Sequence, residues 1–511
     1  MKFVNDLRER TFRAGVGSVA FALVLAGCGG SEKDPGGGPT KNGAPPATLP
    51  ASGRMSPLAV RGGPAYIELV ALSRTSQEAI TGRFKIVNKG KAPVEPGAML
   101  GEGGFPGDPD AGDVLSASGI GLLDVRTGKV YLPRHTSGKQ CLCSKPWGRR
   151  IPAGGAVDIY AVFPQVEGAE QLTVVMPTAA PFVDVPVTEG PVRPAPDQTI
   201  DPAKAQLLPP RALSLVSIAD GDGQTVSEDA DKRAVRLSAD VLFALNKADL
   251  TPKADTLLRQ TAEQIDASKG SEVTVGGYTD SSGNDAINQP LSERRAQAVA
   301  DRLKSMVTRQ GITFLPAGHG AKDPVAPNDS ENGRRKNRRV TVTFAKPVPP
   351  SGPSAGTPYE GKPDVIGGAA FSAADAKDLK VQVHNLHRDS AGFTTMVWTL
   401  RNSGSTSVNF QSKLEKTLIV HGDHSPRRGS TVGGVMLYDP AAKVRYQPMY
   451  TSNGACICSA LSADATVKSV GPGESVTLWS MYRVPAEVQS VEAQFPWAKA
   501  DDAVIRGLPI R

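Results

Sequence analysis

Aromatic side chains make up only 5% of this 511-residue chain, and its six histidines form no evident catalytic set. Basic residues without interleaved aromatics argue against a nucleic-acid partner. No Gly-x-Ser-x-Gly elbow, zinc-protease helix or phosphate loop occurs, which points away from those enzyme classes and predicts no cofactor. Paired carboxylates for glycan hydrolysis stay open, because their separation in space is unreadable here. No apolar run is long enough to span a bilayer. Cysteine is rare as well: Cys28 stands alone, and Cys141/Cys143 and Cys456/Cys458 form two close pairs.

What is present begins with a leader. Lys2, Arg8, Arg10 and Arg13 precede an apolar stretch, residues 14–26, that reads as a secretion signal. It closes on Leu25-Ala26-Gly27-Cys28, which resembles the lipobox of bacterial lipoproteins. That resemblance implies that Cys28 is diacylated, with palmitate-type chains, and becomes the N-terminus. The alternative is an ordinary signal peptide with a chance cysteine. An exported chain with an even remainder of cysteines suggests disulfides. The net charge of +7 suits an acidic envelope polymer or anionic headgroups.

Composition then divides the chain. Residues 28–64 are rich in Gly, Pro, Ser and Lys without an apolar period, so they read as a disordered tether. Proline-rich spacers cover 190–208 and 347–363. Between them lie a β-region over 65–189, an α/β region over 209–346 and a second β-region over 364–511.

The two outer regions read as copies of one unit. Asp124, Tyr131, Pro133, Thr136, Ser137, Cys141, Cys143 and Ser144 recur 315 positions later as Asp439, Tyr446, Pro448, Thr451, Ser452, Cys456, Cys458 and Ser459. Asn88, Gly90 and Val94 recur 314 later as Asn402, Gly404 and Val408. A shared register of this kind indicates duplication. Alternating or apolar runs such as Val157-Asp158-Ile159-Tyr160-Ala161-Val162 and Val476-Thr477-Leu478-Trp479 predict strands, and Asn88-Lys89-Gly90 and Asn402-Ser403-Gly404 predict turns. Each copy is expected to be an immunoglobulin-like sandwich. The Cys-x-Cys pairs are expected to close within each copy. Bridges between the copies, or thiolates serving a soft metal or redox chemistry, are the alternatives. His384-x-x-His387 and His421-x-x-His424 could add ligands, but the first copy has only His135, so no metal site is expected.

In the middle region, Glu272-Val273-Thr274-Val275-Gly276 predicts a strand that delivers Asp280 at its carboxyl end. From Arg295 onward, Ala296, Val299, Leu303 and Met306 have helical spacing, which places Arg295 at the N-terminal edge, beside the core. Pro290 is expected to restart the helix at Ser292. Leu237-Ser238-Ala239-Asp240-Val241-Leu242-Phe243 reads as a strand, and Thr251-Pro252 opens a helix. Arg338-Arg339-Val340-Thr341-Val342-Thr343-Phe344 alternates as a closing strand. Strand and helix alternate, so the fold class is multidomain α+β: a central α/β domain between two all-β domains.

Gly277-Tyr278-Thr279-Asp280-Ser281-Ser282-Gly283 and Asn288-Gln289-Pro290-Leu291-Ser292-Glu293-Arg294-Arg295-Ala296 closely resemble the core motif of the OmpA/MotB C-terminal family. Phe243-Ala244-Leu245-Asn246 and the stretch Gly333-Arg334-Arg335-Lys336-Asn337-Arg338-Arg339-Val340 extend the resemblance over about residues 209–346. Tyr278 departs from it, since many members have histidine there. The resemblance implies noncovalent binding of peptidoglycan through the diaminopimelate end of the stem peptide. Asp280 would take the ammonium and Arg295 the carboxylate, with Asn246, Asn288 and Thr279 assisting. The run 334–339 reads as a solvated or glycan-contacting face.

The expected function is therefore binding rather than catalysis. A lipid-anchored envelope protein would tether membrane to wall, and the β-regions would recruit envelope protein partners. Abundant Ala, Gly, Pro and Arg point to a GC-rich genome and so to the outer face of a single plasma membrane. The periplasmic side of an outer membrane is the alternative. Rival functions are an envelope redox or metal-binding protein using the Cys-x-Cys pairs, and a cell-wall hydrolase.

Overall fold

The computed structural model describes residues 54–58, 64–95, 100–101, 115–146, 148–190, 196–347, 359, 364–389, 391–411, 413–414, 431–461 and 468–511. The leader, Cys28, most of the tether, His421 and His424 lie outside the described residues.

The first β-region contains β1 (Arg54–Leu58), β2 (Ala65–Ser76), β3 (Ala79–Asn88), β4 (Gly121–Asp124), β5 (Lys129–Tyr131), β6 (Ala156–Pro164), β7 (Gln171–Met176), β8 (Ala179–Pro186) and the short β9 (Thr188–Glu189). Strands β1, β2, β3 and β6 pair antiparallel in that order, while β4 joins β5 and β7, and β7 joins β8. Ile67, Leu69, Phe84, Ile86, Ile159, Phe163, Val174 and Phe182 fill the core between them. Strand β1 corrects the expected tether. Residues 54–58 pair with β2 and bury Leu58, and Pro57 is tolerated because the strand's other side is paired only at Leu58, with Ala179 of β8.

The middle of the chain follows as β10 (Ala212–Asp220), β11 (Gln224–Glu228), β12 (Lys232–Ser238), α1 (Ala239–Leu242), α2 (Pro252–Asp266), β13 (Glu272–Tyr278), α3 (Asp285–Met306), β14 (Thr313–Gly318), α4 (Glu331–Asn337) and β15 (Arg339–Ala345). Its sheet runs β11–β12–β15–β13–β14, with only β13 and β14 parallel. Val235, Val273, Val275, Val340 and Val342 face Leu258, Ile265, Val299 and Leu303 of the helices. Thr251 caps α2 by accepting from the Ala254 N–H, and Pro252 opens it, as the sequence indicates. Two expectations fail. The expected strand over 237–243 is the end of β12 followed by a helical turn: the Ala239 N–H still meets the Arg338 carbonyl in register with β15, but the Ala239 carbonyl accepts from the Phe243 N–H and closes the turn. The helix does not restart at Ser292. It begins at Asp285, capped by Asn284, and passes through Pro290, whose missing N–H costs only one backbone bond near the helix start.

The second β-region contains β16 (Gly367–Ala370), β17 (Leu379–Arg388), β18 (Phe393–Asn402), β19 (Val408–Asn409), β20 (Met436–Asp439), β21 (Val444–Tyr446), β22 (Tyr450–Thr451), β23 (Ser469–Val470), β24 (Ser475–Arg483), β25 (Ser490–Phe495) and β26 (Ala503–Pro509). Strands β16–β17–β18–β24 form one sheet, and β21–β20–β25–β26 pair in the other layer.

The residues shared by the two β-regions do the same work in each. Asn88 Nδ2 donates to the Ala92 and Ile151 carbonyls, and Asn402 Nδ2 to those of Thr406 and Val470. Ser144 Oγ accepts from the Tyr160 N–H as Ser459 Oγ does from Trp479. Thr136 and Thr451 each accept from the backbone four residues on. Cys141 is joined to Cys143, and Cys456 to Cys458, all buried.

The first spacer proves not to be free. Residues 206–208 hydrogen-bond along the first β-region, and Ile200 and Leu207 pack on Leu142, Tyr160 and Val162. Strand β10 then pairs with β5 of the first region, with β21 and β22 of the second, and with β11. The β-regions also meet directly: Leu123, Val130, Leu132 and Val175 pack against Phe393, Ile457, Trp479 and Met481.

Candidate functional site

Strand β13 ends at Tyr278, and the chain turns through Asp280 to Gly283, whose φ of 85° suits glycine. Gly277 lets the strand approach α3 closely: a Cβ there would sit 2.1 Å from the Ser292 carbonyl oxygen. Gly333 permits a similar approach of α4 to the Pro327 carbonyl. Buried Asn337 ties that loop down, accepting from the Val325 and Ala326 N–H groups and donating to the Ala326 carbonyl and Asn328 Oδ1. Asn328 Oδ1 in turn accepts from the Ser281 N–H. The Asp280 turn is therefore braced from two sides.

Asp280 is 7% exposed. Its Oδ1 accepts from the Ser282 N–H at 2.9 Å and its Oδ2 from Arg338 Nη1 at 2.8 Å. Burial opposes ionisation, but the Arg338 guanidinium and the Ser282 bonds outweigh it and hold the carboxyl below its ordinary range. Arg338 also donates to both oxygens of Asp240 and to Glu331 Oε1. These acceptors, Asp240 first, raise the arginine further against its burial. Arg338 is the residue that sequence reasoning missed. It was assigned to a solvated run, yet it joins three carboxylates, and its neighbour Arg339 is buried with its guanidinium 3.7 Å from the Tyr278 ring centre. Tyr278 stacks in turn on His319 at 4.7 Å.

Arg295 is 6% exposed and lies in mid-helix, which corrects its expected place at a helix edge beside the core. Its guanidinium lies 5.1 Å from the Phe243 ring centre, and Nε donates to the Lys247 carbonyl at 3.0 Å. Among the described residues neither Nη of Arg295 has a hydrogen-bond partner. Burial lowers its pKa, while Asp240 and Asp280 act in the opposite direction, so the two charges expected from the sequence feel one another.

The assisting residues divide. Asn246 is exposed, with φ of 59°, in the loop whose Lys247 carbonyl holds Arg295. Asn288 is buried and its Nδ2 donates to the Ser282 carbonyl, so it braces the turn. The Thr279 hydroxyl is buried and donates to the Asp280 carbonyl. Outside this site, His384 and His387 lie on β17, and His384 is engaged by Asp364 and Thr399. Among the described residues no group of three or more His, Cys, Asp or Glu could hold a metal.

The family model described as the OmpA family matches residues 242–338. Over 102 residues the chain is 37% identical to the peptidoglycan-binding protein ArfA of Mycobacterium tuberculosis, covering 20% of this chain and 31% of that one. It is 39% identical over 106 residues to outer membrane porin F of Pseudomonas aeruginosa, covering 21% and 30%. It is 32% identical over 123 residues to the Escherichia coli protein YfiB, covering 24% and 76%. The chain thus spans about a third of the length of the first curated relatives it matches.

Proposed function

The chain belongs to the OmpA family, and we propose that it binds peptidoglycan noncovalently through the zwitterionic end of diaminopimelate. Asp280 receives the ligand ammonium and the free Nη face of Arg295 receives its carboxylate, with Asn246 at the rim. The observation that carries this reading is the buried Arg295, held by Nε alone beside a buried, ionised Asp280. A desolvated guanidinium with both terminal nitrogens open is built to take a carboxylate in two-pronged fashion. ArfA, a relative over this segment, is named for the same polymer.

The wider reading is a lipid-anchored envelope protein, held by diacylated Cys28 and joining membrane to wall. The flanking β-regions are duplicated immunoglobulin-like sandwiches that dock envelope partners. The extracytoplasmic place rests on the leader and Cys28; among the described residues no helix is long and apolar enough to cross a membrane. The buried Cys-x-Cys bridges favour a structural part over redox exchange, because an exchange partner must reach a sulfur.

The test is co-sedimentation of the whole chain with insoluble peptidoglycan, with free diaminopimelate as competitor. Asp280→Ala and Arg295→Gln should each weaken retention by about thirtyfold or more, the cost of unpairing a desolvated charge. Unchanged retention by the folded double variant would sink the proposal.

A further inference from the structure

The sheet of the OmpA-like segment does not stop at that segment. It continues through β11 and β10 into β21 and β20 of the second β-region, giving the order β20–β21–β10–β11–β12–β15–β13–β14. One side of the β11–β14 portion is closed by α2 and α3 over Val226, Val235, Val342 and Val275. The other side bears a row of directly opposed residues: Tyr438, Arg445, Asp220, Thr225, Arg236 and Thr341. Beyond Thr341 the row reaches Gly276, over which the Tyr278 ring lies against His319. At about 4.8 Å per strand this row is roughly 29 Å long.

This side is open and polar. Arg445, Thr274 and Ala317 are exposed, while Thr225, Arg236, Thr341, Tyr278 and His319 are half-buried. Its charge is lopsided. Arg236, Arg339, Lys336 and Arg445 stand with Asp220, whose oxygens already accept from Thr225 Oγ1 and Gln447 Nε2, with Glu492, which lies opposite Tyr438 and pairs with Arg506, and with Asp323 near Arg339. Arg236 has no hydrogen-bond partner among the described residues, and its Nη1 is fully buried. Burial and the nearby Arg339 push it down to about 10. A half-buried guanidinium left without an acceptor needs an explanation, and an anion supplied from outside is the simplest one.

We propose that this continuous sheet face is a second binding site, for a polysaccharide strand that carries carboxylates. Tyr278 is sandwiched between Arg339 and His319, and Arg445 lies over one face of Tyr438. His319 and Tyr438 are therefore the rings that would each meet a sugar with their remaining face. The threonines answer hydroxyl groups, and Arg236 and Arg445 answer the acidic substituents through charge-assisted bonds. A protein strand would seek a sheet edge instead, and a membrane would seek exposed large apolar side chains, of which this face has chiefly Leu315. The proposal goes beyond the stem-peptide site and does not depend on it.

The probe is a wall glycan stripped enzymatically of its stem peptides but retaining its lactyl carboxylates, with the whole chain titrated against it. Binding is expected, and Arg236→Gln with Arg445→Gln should weaken it at least tenfold. The same strand with its carboxyls reduced should bind the unaltered protein equally weakly, which tests the charges without touching the fold. A plant polyuronate, run in parallel, separates a general carboxylate site from one shaped for the wall glycan: binding of either supports the face. Asp280→Ala should leave these affinities unchanged, so failure here and failure at the stem-peptide site are distinguishable. No binding by either strand, equal binding by the double variant, or binding only to anionic lipid vesicles would overturn the proposal.

Discussion

Leu207 and Leu215 hold the same position on two different β-regions. Leu207 bridges Thr136 of the first, and Leu215 pairs with Thr451 of the second, the threonines being equivalent residues. Around them the match continues. Ala79, Leu142, Tyr160 and Val162 of the first region correspond to Phe393, Ile457, Trp479 and Met481 of the second, as the β3–β6 and β18–β24 registers show. In the second region this face is covered by the sheet carrying Leu123, Val130, Leu132 and Val175. In the first it is covered by Ile200 and Leu207 of the connecting segment. The regions therefore stack head to tail, an arrangement that continues without limit unless its ends are capped. At the far end Tyr438, Arg445 and Gln494 replace Leu123, Val130 and Val175, so the exposed counterpart is polar.

Ile200→Asp should uncover the first region's face. A charge in place of that apolar cover should lower stability by about 1–3 kcal/mol and promote concentration-dependent association in analytical ultracentrifugation. Val365→Asp, at a residue 48% exposed, should do neither. A monomeric Ile200→Asp protein with unchanged melting would remove the capping role.

Arg338→Gln leaves Asp240, Asp280 and Glu331 facing one another without their shared cation. Asp280 and Glu331 both have depressed folded pKa values through Arg338. Their contribution is present above the unfolded carboxylate range and lost as pH falls through the folded values. The variant should be less stable at neutral pH, chiefly through the buried Asp280, with the gap closing below pH about 4. Urea melts at several pH values check this, and a gap independent of pH would contradict it.

How much of this could be read beforehand depended on sequence distance. The cap of α2 and strand β13 are local, and Thr251-Pro252 and the run from Glu272 display them. The identities shared by the β-regions were visible as a register, and the structure gives their reason: Asn88, Thr136 and Ser144 satisfy backbone groups that any copy must satisfy. Arg338 was not legible, because its partners Asp240 and Asp280 lie far away in sequence and meet it only when β12 and β13 flank β15. The turn over 239–242 was misread because buried Leu237, Ala239, Leu242 and Phe243 begin with strand period and end without it. Strand β1 escaped notice since five residues with a proline carry almost no periodic signal.

Gly277→Ala tests the packing beneath the site. Its Cβ would collide with the Ser292 carbonyl oxygen, a backbone atom that cannot rotate away, so α3 must shift from β13. Overpacking against backbone should cost about 3 kcal/mol or more and move Arg295 with its helix. Chemical denaturation and wall retention should both suffer. A variant within about 0.5 kcal/mol of the parent would mean that the helix is not seated as described.

The last prediction concerns pH and the contact between the β-regions. Asp389 is 4% exposed in the turn between β17 and β18, where its Oδ1 accepts from the Ala391 and Phe393 N–H groups. Burial pushes its carboxyl up to about 7, and Asp184 of the first region adds to the shift, while the Phe393 and Ala391 N–H groups and Arg483 oppose it. The folded value thus lies above the unfolded one, near 3.9. Below the unfolded value the protonated group brings no penalty. As pH rises toward 7 the unfolded chain gains by ionising, and stability falls by up to about 4 kcal/mol before levelling off. Asp389→Asn keeps an oxygen for both N–H groups but cannot ionise. Its stability should therefore match the parent near pH 4 and exceed it by a few kcal/mol at pH 8. Thermal melts across that range decide the matter: parallel curves for the two proteins would show that Asp389 is charged at little cost, and that the region contact is not acid-strengthened.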